Sequence, residues 1–306
     1  MSFADRDGFI WSDGKLIPWR EANIHVLTHS LHYGMGVFEG VRAYKTGAGP
    51  AIFRLKEHTQ RLLNSAKIFQ MRVPFDADTL EQAQREVVKR NQLESCYIRP
   101  LIWIGSEKLG IGARDNKIHA SISAWPWGAY LGEDALTKGI STKISSWTRH
   151  DHNTMPPASK TTGNYVNSSL AKVEALRGGY DEAIMLNPQG FVSECTGENI
   201  FVARDGVFVT PPIAAGALEG ITQDSVMVIG RDLGYDFRVD YLTRSDLYVA
   251  EEIFLCGTAA EVSAVNSVDN RDIPCPGPMT SAIAAEYGRV VRGQVPRYED
   301  WLEYVH

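Results

Sequence analysis

The chain has 306 residues, a formal net charge of −6, and 44% hydrophobic against 22% charged residues. That length allows two domains with real cores, the composition is ordinary for a soluble globular protein, and no dense Lys/Arg run recruits nucleic acid or an anionic membrane. The opening MSFADRDGFIW lacks the apolar stretch of a secretory signal, no apolar run approaches spanning length, and the scattered Cys96, Cys195, Cys256 and Cys275 read as reduced thiols of a cytoplasmic protein rather than a disulfide or zinc framework.

Phe9, Ile10 and Trp11, then Asp13-Gly14, then Leu16 and Ile17, read as a hairpin with a tight turn. Residues 37–44 alternate as a strand does, with Gly40 interrupting it, and 29–34 are too short and Gly-flanked for a long helix. His25, His29 and His32 lack a fourth ligand in register, so structural hydrogen bonding is expected of them and no metal. A strand at 51–53 precedes helical patterns at 55–71, which carries Arg61, and at 78–91, with Leu80, Ala83 and Val87 on one face. The run CYIRPLIWI at 96–104 is a strongly apolar strand, and Tyr97 and Arg99, two apart, share a face. An arginine there fits a desolvated carboxylate site better than a wet edge. After a strand at 119–124, WPWGAYLGEDA breaks the pattern and marks an interdomain loop over 125–134. The expected domains are a small α/β unit at 1–124 and a larger α/β unit at 135–306 carrying the lysine described next.

The second half opens with a strand at 140–146 and then MPPASKTTGNY, 155–165. Any single lysine is ordinarily a solvated surface charge. Lys160, however, has small uncharged flanks, a stiff Pro156-Pro157 before it, and a helix at 164–176 after it. A lysine confined in this way is a candidate Schiff-base nucleophile. Strands at 181–186 and 191–194 flank an Asn-Pro-Gln-Gly turn, which places Glu194 at a strand end. A loop at 211–218 leads through Glu219-Gly220-Ile221-Thr222 into a helix at 223–233. Thr222 is the expected N-cap, and this helix start suits a phosphate. A strand at 252–255 ends in Gly257-Thr258-Ala259-Ala260, a small-residue turn again suited to an anion, and a helix at 280–291 follows. An amine, two anion turns, a helix arginine and a strand-end carboxylate make one chemical set, the one pyridoxal phosphate needs.

The motifs HSLHYGMGVFEGVRAY, YIRPLI, AWPWGAYLG, KTTGNY, SECTGENIF, LEGITQD and FLCGTAAEV resemble those of the branched-chain amino acid aminotransferases, fold-type-IV pyridoxal-phosphate enzymes of bacterial type, over essentially the whole chain. The resemblance implies an α/β (α+β) fold of two domains with the active site at their interface. It implies that Lys160 links to the cofactor aldehyde and shuttles the substrate proton, that Tyr165 donates to the phenolic oxygen, and that Glu194 pairs with the ring nitrogen. Arg61, Ile221, Thr222 and Thr258 would hold the phosphate, and Leu218 would pack on the ring. Tyr97, Thr258 and Ala259 would bind the substrate α-carboxylate. Phe38, Gly40, Trp127 and Tyr130 would shape the pocket, and Arg99 would take the side-chain carboxylate of glutamate. A homodimer or higher homo-oligomer, up to a hexamer, is implied, with Tyr33 and Ala113 reaching the partner's site. The implied reaction exchanges an amino group between L-leucine, L-isoleucine or L-valine and 2-oxoglutarate. D-Amino acid aminotransferase and aminodeoxychorismate lyase share the lysine, the glutamate and the phosphate turns and are the alternatives, with YIR, FEGVRAY and GTAAE favouring the branched-chain enzyme; a non-enzyme binding protein in which these residues are only structural is the remaining one.

Overall fold

The computed structural model describes residues 2–112, 115–128 and 138–305. The chain divides into two compact units, one of residues 1–127, 159–163 and 290–306, the other of 128–158 and 164–289.

The first unit opens with the hairpin β1 (Phe9–Ser12) and β2 (Lys15–Pro18), joined where Asp13 and Gly14 both take positive φ, as a two-residue I′ turn requires. Helix α1 (His29–Tyr33) stops after one turn because Gly34 adopts the left-handed conformation and its N–H returns to Ser30 C=O. Strands β3 (Gly36–Phe38), β4 (Val41–Thr46) and β5 (Gly49–Phe53), helices α2 (Leu55–Ile68) and α3 (Ala77–Arg90), and strands β6 (Cys96–Ile104) and β7 (Ile118–Trp125) follow. Asp76 caps α3 by accepting from Thr79 N–H at 2.9 Å. The eight-stranded sheet runs from the C-terminal strand Leu302–Tyr304 through β5, β4, β6, β7 and β1 to β2, with β3 beside β6.

Strand β6 positions the site. Its alternate residues Cys96, Ile98, Ile102 and Ile104 enter the core with Val37, Val41 and Leu62. Tyr97 and Arg99 take the other face. Along one edge β6 pairs first with β4, up to Ile98, and then with β3, from Leu101. Arg99 and Pro100 fall in the gap opposite Glu39 and Gly40, where Glu39 N–H donates to Pro100 C=O at 2.9 Å. A proline is tolerated in a central strand there because the neighbouring strand is interrupted.

The second unit contains β8 (Ile140–Ile144), α4 (Asn164–Arg177), β9 (Glu182–Leu186), β10 (Val192–Cys195), β11 (Asn199–Arg204), β12 (Val207–Thr210), α5 (Ile221–Asp232), β13 (Asp236–Val239), α6 (Arg244–Tyr248), β14 (Glu252–Gly257), β15 (Glu261–Val268), β16 (Arg271–Asp272) and α7 (Pro278–Val290). Its nine-stranded sheet has the order β10-β9-β8-β15-β14-β11-β12-β13, with β16 on β15. Ile184, Ile200, Leu255 and Val265 are fully buried in its core, each contributing about 1.5–3 kcal/mol by leaving water. On α4, Ala171 and Ala175 pack against Ala183 and Met185.

The two units are not the continuous 1–124 and 135–306 expected from the sequence. Residues 159–163, and with them Lys160, cluster with the first unit, as does the C-terminal strand, because both pair with its sheet. Of the expected interdomain loop, residues 129–134 lie outside the described residues. All four cysteines are free thiols. No helix among the described residues is long and apolar enough to cross a membrane.

Candidate active site

The lysine segment is tied to β3 rather than left as an irregular loop. Phe38 N–H donates to Lys160 C=O at 3.0 Å, Thr162 N–H donates to Gly36 C=O at 2.8 Å, and Val37 and Thr161 form an antiparallel bridge. Lys160 N–H donates to Ser65 Oγ on α2 at 3.0 Å. Thr162 Oγ1 donates to Gly34 C=O at 2.8 Å and accepts from Gly36 N–H at 3.1 Å. Backbone bonds on both sides thus set where the half-buried Lys160 side chain starts, and its Nζ lies 5.4 Å from the Phe38 ring centroid. Gly34 permits the approach, since a Cβ there would lie 3.1 Å from Gly163 Cα at a φ of +67°.

Beside the lysine stands an aromatic wall. Tyr97 packs edge-on to Trp127 with centroids 4.6 Å apart, and Trp127 C=O accepts from Arg42 Nη2 at 3.2 Å. Gly40 makes room for Tyr97, whose Oη would be 2.1 Å from an added Cβ. Arg99 Nη2 donates to Tyr97 Oη at 3.0 Å, and its Cζ sits 4.6 Å from the Phe38 ring and 5.2 Å from the Tyr97 ring. Arg99 Nε is buried with no hydrogen-bond partner among the described residues. The two rings support the cation, and the buried orphan donor calls for an anion. Tyr33 is 42% exposed, in a run with exposed Ile24, Val26, Leu27 and Leu31. Ala113 and Tyr130 lie outside the described residues.

Arg61 on α2 is held by Glu39, with Nε donating to Oε1 at 2.6 Å and Nη2 to Oε2 at 2.9 Å. His58 Nδ1 sits 2.7 Å from the same carboxylate, one helical turn before Arg61. Burial pushes the Glu39 carboxyl up, but the Arg61 charge and the His58 hydrogen bond outweigh it and hold it well below the usual range. Burial pushes the His58 imidazole down, so it is neutral and its Nδ1–H donates.

In the second unit, Glu194 at the end of β10 receives a donor on each oxygen: Arg149 Nη2 at 2.5 Å on Oε1, and Leu218 N–H at 2.9 Å on Oε2. Arg149 is itself buried and donates to Ser168 Oγ at 3.1 Å. Asn199 Nδ2 fixes Leu218 C=O at 3.0 Å. Helix α5 begins at Ile221 with Gly220 as its N-cap, which corrects the expected Thr222 cap. A Cβ at 220 would come within 1.9 Å of Asn199 Oδ1, so glycine at this cap leaves room for the Asn199 side chain. Ile221 and Thr222 therefore supply first-turn amides, the groups that have no partner within their own helix. Thr258 and Ala259 occupy the turn between β14 and β15, as expected, and half-buried Tyr165 starts α4. Near Glu194 lie Glu198 and Glu182, both buried, with Lys172 Nζ 2.7 Å from Glu182 and Thr196 Oγ1 donating to it at 2.7 Å. Burial first, then the Glu182 charge, pushes the Glu198 carboxyl up to about 8.

Residues 36–268 match the family model for amino-transferase class IV. The branched-chain-amino-acid aminotransferase of Pseudomonas aeruginosa is 48% identical over 307 residues, 100% of each chain, and that of Escherichia coli is 43% identical over 302 residues, 97% of each. The crystal structure of the T.th. branched-chain amino acid aminotransferase with pyridoxamine 5′-phosphate matches with a TM-score of 0.95 at 49% identity, covering 98% of this chain and 99% of that one. The same protein crystallised with N-(5′-phosphopyridoxyl)-L-glutamate gives 0.94 at 47%, with coverage of 98% and 99%. The chain belongs to the branched-chain amino acid aminotransferases.

For an aminotransferase of this family the cofactor is pyridoxal 5′-phosphate, and the donor set fits it. Lys160 would offer an amine for the aldehyde; separately, in the second unit, Glu194 with its Arg149 partner would suit the ring nitrogen and the first turn of α5 would suit the phosphate. Sequence reasoning missed Glu39, His58 and Arg149. Glu39 stands inside the quoted VFEGV motif and His58 lies three residues before Arg61, a spacing that puts both on one helix face. Arg149, in SSWTRHDH, carries no such signal. The histidines 25, 29 and 32 make the structural bonds expected of them, His29 Nε2 to Gly110 C=O at 3.0 Å and His32 Nε2 to Val26 C=O at 2.8 Å among them.

Proposed function

We propose that this aminotransferase moves the amino group between L-leucine, L-isoleucine or L-valine and 2-oxoglutarate, and that Arg99 is what lets one apolar pocket serve both kinds of substrate. The observation that carries this is the orphaned Nε of Arg99 beside Phe38 and Tyr97. A glutamate side chain brings a carboxylate to that donor. A leucine side chain leaves the guanidinium to the two rings and the Tyr97 hydroxyl, so the charge is never bare.

Pyridoxal phosphate, when bound, supplies an aldehyde for the substrate amine and a protonated ring that accepts electrons. Lys160 Nζ serves as the base and acid that removes the proton from substrate Cα and returns it. Glu194, kept in place by Arg149 and Leu218 N–H, holds the proton on the ring nitrogen. Tyr165 would donate to the phenolic oxygen and Leu218 would pack on the ring. Arg61 and the amides of Ile221, Thr222 and Thr258 would hold the phosphate. Tyr97 and the turn at Thr258 and Ala259 orient the α-carboxylate, while Phe38, Gly40 and Trp127 shape the side-chain pocket. A homodimer or higher oligomer in the cytoplasm completes the reading; the exposed apolar run from Ile24 to Tyr33 supports it, since such a patch on a soluble chain marks an association surface.

The test is a panel of L- and D-amino donors with 2-oxoglutarate as acceptor. L-Leucine, L-isoleucine and L-valine should react with 2-oxoglutarate and their D-forms should not. Turnover of D-alanine or D-glutamate instead would assign the chain to the D-amino acid enzymes of its fold type.

A further inference from the structure

We infer that Glu39 is a positioning residue for the cofactor phosphate, acting through Arg61. This rests on the reading that Arg61 binds that phosphate. Glu39 is wholly inaccessible, yet its carboxylate accepts from Arg61 Nε at 2.6 Å, Arg61 Nη2 at 2.9 Å, His58 Nδ1 at 2.7 Å and its own neighbour Gly40 N–H at 3.3 Å. Its backbone is fixed too, through its N–H to Pro100 C=O at 2.9 Å. The carboxylate is therefore anchored at its stem and at its tip.

A guanidinium is planar, with N–H groups in a rigid fork. Clamping the Nε/Nη2 edge fixes the plane of Arg61 and the direction of the opposite, Nη1-bearing edge. Without the clamp a long side chain must give up its rotamer freedom when the phosphate binds. His58 adds a third donor to Glu39 and, being neutral, no second positive charge to compete for the anion. The placement is informative. Glu39 lies in the strand break between Phe38 and Gly40, so the residue that aims the arginine is continuous with the residues that shape the substrate pocket. A pair serving the core alone could be replaced by apolar side chains of like volume. A pair that aims a guanidinium cannot, because the effect depends on direction.

The full-length apoenzyme, titrated with pyridoxal phosphate and separately with pyridoxal while visible absorbance is followed, distinguishes the two. Pyridoxal has the same aldehyde and ring but no phosphate. Glu39→Gln places an amide against the arginine. It should weaken pyridoxal phosphate by roughly 10- to 100-fold, as loss of an orienting partner does, with pyridoxal affinity held within about twofold. Equal losses for both ligands, or no loss for either, would overturn the inference. Arg61→Ala is the control for the reading beneath it: it too should penalise only the phosphorylated ligand. If it does not, Arg61 is not the phosphate arginine. If it does and Glu39→Gln does not, the positioning role alone fails. Should Glu39→Gln not fold, Glu39→Asp keeps the charge but sits one methylene short of the clamp. It should show a smaller loss confined to pyridoxal phosphate, and an unselective loss would count against Glu39 as equal losses do.

Discussion

Glu39 in the first unit and Glu198 in the second are both shut away from water, and their acidities move in opposite directions. Around Glu39 the neighbours are a guanidinium and an imidazole N–H, and the carboxylate stays charged. Around Glu198 burial and the Glu182 carboxylate outweigh the Lys172 charge and favour the protonated form. Burial is common to both, so the sign comes from the company each keeps. The same contrast runs through the residues proposed for the reaction. The first unit carries the cations Lys160, Arg61 and Arg99, the second the carboxylate Glu194.

Substitution can break that contrast at its strongest point first. Lys160→Ala removes the amine proposed both to link the cofactor and to move the substrate proton. Turnover should fall by several orders of magnitude, about 10³-fold or more, while the cofactor still binds without a covalent link. Single-turnover kinetics check it, and retained transamination near the parental rate would move the chemistry to another lysine. On the opposite side, Glu194→Gln replaces the carboxylate by a neutral amide facing Arg149. The fold and cofactor should persist, and the step that takes the Cα proton should slow by roughly 10²-fold, since the ring nitrogen loses its anionic partner. An unchanged primary isotope effect and rate with Cα-deuterated leucine would show that Glu194 is not that partner.

Arg99→Ala tests whether the first unit's cations are specific in what they bind. Glutamate should lose about 2–5 kcal/mol of half-reaction efficiency, the cost of stripping one partner from a desolvated charge pair. Leucine should lose much less, because it meets only the Phe38 and Tyr97 side of the site. Equal losses would make Arg99 structural. The smallest effect belongs to Glu198→Gln. A carboxyl whose acidity is lowered by folding, with its pKa rising from 4.5 to about 8, gives stability that is full below pH 4.5 and is lost as pH rises through about 8. Denaturant melts of the variant between pH 5 and 8.5 should show that loss reduced, by about 1–2 kcal/mol. Glu39 works the other way, its contribution present above pH 4.5 and lost on acidification, so a variant profile unchanged on the alkaline side would remove the contrast drawn above.

Much of this was legible in the sequence where a local pattern forces a local result. The Asp13-Gly14 hairpin, the alternation of 96–104 and the side shared by Tyr97 and Arg99 follow from turn chemistry and a period of two. What was not legible depends on partners remote in sequence. Nothing around Thr222 reveals that the cap is Gly220, where the Asn199 side chain crowds any Cβ. Nothing in KTTGNY reveals that its backbone pairs with Gly36 and Phe38, which is why Lys160 belongs with the first unit. Nothing in VFEGV reveals that His58 and Arg61 stand beside Glu39.

The C-terminal strand Leu302–Tyr304 pairs with β5, with Leu302 opposite Phe53. The order of synthesis makes that pairing late. A chain emerging from the ribosome exposes β5 as an unfinished edge while all of residues 54–301 are still being made, and the lysine segment joins its sheet only after more than half of the chain has appeared. Non-local closures of this kind slow folding and leave strand edges open to other chains. A fragment ending before residue 302 would hold every residue proposed above for the reaction and still leave β5 without this partner strand.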